Sequence, residues 1–85
     1  MKGLYSLFDR GVQKYMIPFP SDAEQDAIRQ CRYLVNGDND SVFKKFPEDF
    51  DLYHIGWFVE DEGKLLPLAT PKMIVKIIDL VKKEV

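Results

Sequence analysis

Phe46-Pro47-Glu48-Asp49-Phe50-Asp51-Leu52-Tyr53-His54-Ile55-Gly56-Trp57-Phe58-Val59 is the stretch whose reading decides the fold. It holds the densest run of aromatic and β-forming residues in the chain. Pro47 punctuates it on one side, and Glu60-Asp61-Glu62-Gly63 on the other. From Leu52 to Val59 every residue but Gly56 can fill space, which predicts a strand covered on at least one face. Regular pairing puts Tyr53, Ile55, Trp57 and Val59 on one side and Leu52, His54, Gly56 and Phe58 on the other. A bulge at Gly56 would instead shift the register of Trp57 and Phe58.

Working outward, Glu60 to Gly63 reads as a hairpin tip, and Lys64 to Leu68 as a returning strand that Pro67 assigns to an edge. Thr70-Pro71 then predicts the start of a second helix, with Thr70 as N-cap and Pro71 at the first helical position. Its polar stripe would be Lys72, Lys76, Asp79 and Lys83. Met73, Ile77 and Leu80 lie in the wide apolar remainder, which is the expected oligomer interface. Toward the N-terminus, residues 3 to 17 read as a hairpin around Asp9-Arg10-Gly11-Val12, closed by Pro18-Phe19-Pro20. Ser21-Asp22-Ala23-Glu24 has the form of a capping box. Ala27, Ile28, Cys31, Leu34 and Val35 follow at helical spacing, and Asn36-Gly37 predicts a left-handed stop. Arg29 and Arg32 point away from the apolar stripe. Ser41 caps a short turn carrying Lys44 and Lys45. The resulting order is strand, strand, helix, strand, strand, helix. This is an α+β domain with an antiparallel sheet of about four strands and two helices on one face.

Eighty-five residues bound the chain to one domain with a thin core. Hydrophobic content of 46% fits a folded protein, and the net charge of -2 supplies no global field for polyanions. One cysteine excludes an internal disulfide and a cysteine-built metal site. No apolar run approaches the roughly twenty residues that span a bilayer, so no membrane partner is expected. His54 is the only histidine and has no nucleophile motif or second imidazole beside it. Glu60, Asp61 and Glu62 lack the spacing of a calcium loop. The expectation is a protein that is not an enzyme and carries no cofactor or metal.

Single-stranded nucleic acid needs cations along its backbone and aromatic faces for its bases. Arg10, Lys14 and Tyr15 cluster in the first hairpin. Arg29 and Arg32 are one helical turn apart, Lys44 and Lys45 precede the central strand, and Tyr53 and Trp57 are its candidate stacking rings. Against this stands the plainer reading of core aromatics and solubilising lysines.

Three pieces of the sequence tip the balance. They are Leu4-Tyr5-Ser6-Leu7-Phe8-Asp9 with Tyr15-Met16-Ile17-Pro18-Phe19, Asp26-Ala27-Ile28-Arg29 with Val35-Asn36, and the stretch from Phe46 to Phe58. Together they resemble the small nonstructural DNA-binding protein of gokushovirus-type microviruses, which are single-stranded-DNA phages. Trp57 and Val59 depart from that family's pattern, which has a polar and an acidic residue there. The resemblance implies a non-capsid protein of the host cytoplasm that binds DNA in the switch from double-stranded replication to single-strand synthesis and packaging. It brings no catalytic or binding residues with it. The candidate site residues Arg10, Lys14, Arg29, Arg32, Lys44, Lys45, Tyr53 and Trp57 are inferred from charge and aromaticity, and a homodimer with one basic face is expected. The alternative is an interaction module that regulates a phage or host replication or packaging protein without touching DNA.

Overall fold

A computed structural model describes residues 1–82. The strand predicted at the centre is β4, Phe50–Val59. It pairs antiparallel with β1 (Lys2–Asp9) on one side and β5 (Lys64–Lys76) on the other. Two short strands, β2 (Lys14–Tyr15) and β3 (Phe19–Ser21), share the far edge of β1. α1 (Glu24–Asn36) and α2 (Val42–Lys45) lie between β3 and β4, with a 3-10 turn at Pro47–Asp49 and another at Ile77–Leu80. The class is α+β, with the first two strands paired as expected.

In an antiparallel ladder, residues directly opposite share a face. Tyr5 pairs with His54 and Leu7 with Leu52, and both pairs look toward α1. Ala27, Cys31 and Val35 of α1 meet Tyr5, Leu7, Phe50, Leu52 and Ile77 in the core. Leu52 is 0% exposed, and burying such a side chain stabilises by about 1.5–3 kcal/mol. Ser6, Phe8, Asp51 and Tyr53 belong to the opposite face, where β5 adds Met73 and Lys76.

The bulge falls where Gly56 suggested it. Leu4 pairs with Gly56 and Tyr5 with His54, so Ile55 is the extra residue. On the other side, Ile55 stands against four residues of β5, because His54 pairs with Lys72 and Gly56 with Pro67. The molecule bends there, and the hairpin of residues 56–67 extends a shape 46 Å long. A Cβ on Gly56 would lie 2.6 Å from the Leu66 carbonyl oxygen, so only glycine permits this approach.

The largest departure is the second long helix. Residues 71–76 are strand, and Ile77–Leu80 is a 3-10 turn. Lys83, predicted on that helix's polar stripe, lies outside the described residues. The cap-like Thr70-Pro71 and an apolar run with no strict period fit either reading. Val75 opposite Leu52 and Lys76 opposite Asp51 give the segment a ladder, and β-branched Ile74 and Val75 suit it. Ile77 is consequently 1% exposed and belongs to the core, with Leu80 packed against it. Only Met73, at 40% exposure, remains open of the three residues expected to form an oligomer interface.

Two smaller expectations also change. Ser21 is buried in β3 and its hydroxyl donates to the Ala23 carbonyl at 3.2 Å, so the capping box does not form. Pro20 lies within β3 rather than ending the ladder, as an edge strand allows. Gly37 has φ -72°, not a left-handed conformation; its lack of a Cβ matters because the Tyr33 carbonyl is 2.5 Å from where one would sit.

Candidate nucleic-acid interface

α1 ends in a local assembly of hydrogen bonds. The Asn36 amide nitrogen donates to the carbonyls of Arg32, at 3.0 Å, and Leu80, at 2.8 Å. Its oxygen accepts from the Lys82 backbone N–H at 2.8 Å. This amide clips the segment after the 3-10 turn to the end of α1. Lys82 thereby joins Arg29, Arg32, Tyr33, Asn36 and Gly37 around one shallow groove. Lys44 reaches the same place, since its ammonium donates to the Gly37 carbonyl at 2.7 Å, and Ser41 caps α2 as expected.

Tyr33 stands at this groove with 70% of its surface exposed. A second depression on its flank is lined by Arg29, Gln30 and Leu34. The ring is therefore a ridge between two hollows, with guanidinium groups beside it. Arg29 is bound by Asp26 one turn back, an exposed pair that contributes little to stability. Arg32 has no ion-pair partner among the described residues.

The other predicted residues sit elsewhere. Arg10 holds the buried Asp51 carboxylate at 3.2 Å and also donates to the Glu48 carbonyl, which makes it a structural cation. Lys14 pairs with Asp9 at the sheet edge, on the face opposite Tyr15. Lys45 is exposed on α2, next to Lys44. Tyr53 lies with Phe8 and Tyr15 at centroid distances of 6.1 and 5.4 Å. Burial pushes the Tyr15 hydroxyl up in pKa, with Tyr53 adding to it. Because of the bulge, Trp57 is on the other face, edge-on to His54 at 4.7 Å. Tyr53 and Trp57 therefore do not form one platform.

His54 is stacked on Tyr5 at 4.9 Å, and its Nε2 is 2.8 Å from the Gly56 carbonyl. That contact requires the proton on Nε2. It bridges the bulge, which is a packing role. Cys31 is 1% exposed, and burial pushes its thiol up to about 12. No group of three or more potential metal ligands occurs among the described residues. None of their helices is long and apolar enough to cross a membrane.

A family described as phage ORF5 protein matches residues 2–80. The chain belongs to this phage family. Among curated proteins, Protein ORF5 of Chlamydia phage 1 is 39% identical over 67 residues, covering 75% of this chain and 70% of that protein. No solved structure matches. These findings agree with the microvirus kinship read from the sequence. Within this ORF5 chain the sequence reading missed two groove residues, Tyr33 and Lys82. Tyr33 was within reach, because it follows Arg29 by four positions and so shares its helical face. Lys82 was not, because its place depends on the long-range Asn36 clip.

Proposed function

We propose that this ORF5 protein is a nonenzymatic, nonstructural phage protein that binds DNA, prefers single strands, and acts in the host cytoplasm. Its task is the switch from genome replication to single-strand synthesis and packaging. The observation that carries the reading is the groove at the end of α1, where Arg29, Arg32 and Lys82 surround an exposed Tyr33. It combines what a single strand needs, with phosphates meeting the cations and a base lying on the ring. A chain of net charge -2 can hold a polyanion when its cations collect in one place.

Titration of a labelled oligothymidine at two salt concentrations tests this. Three phosphate contacts predict affinity falling roughly 20-fold between about 50 and 200 mM salt. Arg32→Glu should weaken binding with no change in melting temperature. A folded sample that binds at neither salt concentration disproves the reading.

The alternative, an interaction module without DNA contact, drew its motive from an apolar helical face over residues 73–81. Residues 73–76 are strand and Ile77–Leu80 a 3-10 turn; Ile77 is in the core, while Met73 and Ile78 remain exposed. The reading keeps a homodimer as its expected assembly. The exposed Leu65, Leu66 and Met73 replace the buried Ile77 as the surface to probe by sedimentation equilibrium.

A further inference from the structure

Resting on that DNA-binding reading, we propose that the sheet face turned away from α1 is a second single-strand contact. Bases would lie there on the cluster of Phe8, Tyr15 and Tyr53. These rings come from three adjacent strands and stay outside the core that α1 covers. Tyr15 is 45% exposed, and Met73, opposite Tyr53 on β5, is 40% exposed. The rings meet at interplanar angles of 56°, 72° and 81°, so no two of them close face to face. Every base has an aromatic face that such rings accept, whatever its identity.

The charges on this face fit an anionic strand. Asp51 shares it, but its carboxylate is already held by Arg10. Lys76, opposite Asp51, makes no ion pair among the described residues and remains available to a phosphate. The groove at α1 lies on the other side of the sheet. One molecule would therefore hold a strand at two places, one on each side.

Photocrosslinking tests this on the intact protein. An oligothymidine carrying 5-iododeoxyuridine is irradiated in the complex, and adducts are mapped by mass spectrometry. Adducts are expected at Tyr33 and also at Tyr15 or Tyr53. Adducts at Tyr33 alone overturn the second contact and leave the groove standing; adducts at none of the three remove both. Variants supply an independent measure, with fold checked by circular dichroism. Tyr15→Ala and Lys76→Glu should each weaken oligothymidine binding about tenfold, while Tyr15→Phe stays within about twofold of the parent. The proposal also fails if Tyr15→Ala and Lys76→Glu leave affinity unchanged and alter only sedimentation. That face would then belong to a second copy of the chain.

Discussion

The two halves of β4 are built from the same kinds of residue and meet different fates. Phe50 to His54 is flanked by β1 and β5 and contributes Phe50 and Leu52 to the core under α1. Gly56 to Val59, beyond the Ile55 bulge, is flanked by the same strands, yet Trp57, Phe58 and Val59 are only half-buried. Opposite them on β5, Leu65 is 66% exposed and Leu66 45%. β-forming chemistry sets the ladder along the whole strand, whereas burial is set by what lies over each half.

The sharpest way to break this comparison is to truncate one leucine on each side. Leu52→Ala leaves a cavity in a closed core and should cost about 3 kcal/mol, lowering the melting temperature by on the order of 15 °C. At the junction, Gly56→Ala pushes a methyl group against the Leu66 carbonyl and should cost about 2 kcal/mol in the same thermal scan. Asn36→Ala cuts the clip and should cost about 1 kcal/mol; oligothymidine binding should weaken with it, because Lys82 is released. Leu65→Ala should change stability by less than about 0.5 kcal/mol. If Leu65→Ala and Leu52→Ala prove equally damaging, the hairpin is part of the core and the contrast is wrong.

Much of this was legible in the residues. The central strand, the first hairpin and the Ser41 cap depend on local patterns and form where those patterns place them; the first helix forms on its apolar spacing, but without the Ser21 cap and the left-handed Gly37 stop. Gly56 announced the bulge because a glycine within an otherwise space-filling strand has few other uses. The segment from Pro71 to Leu80 was not legible. Proline after threonine imitates a helix start, and a run such as Met73-Ile74-Val75 has no period that separates helix from strand. Long-range pairing with Asp51 to His54 decided it. The candidate site divided on the same line. Arg29 and Arg32 needed only helical spacing to come together. Tyr53 and Trp57 were parted by one extra residue in the register, and Arg10 was drawn away by a carboxylate forty-one positions later.

β5 is the outermost strand, thirteen residues long and exposed through most of its length. A free row of backbone donors and acceptors on that scale invites sheets to add end to end, which leads to fibrils. Pro67 and Pro71 each lack an N–H, so an incoming strand finds the row interrupted. These two rings act as a brake on self-assembly, and a Pro67→Thr, Pro71→Thr chain should turn thioflavin-positive at concentrations where the parent stays dispersed.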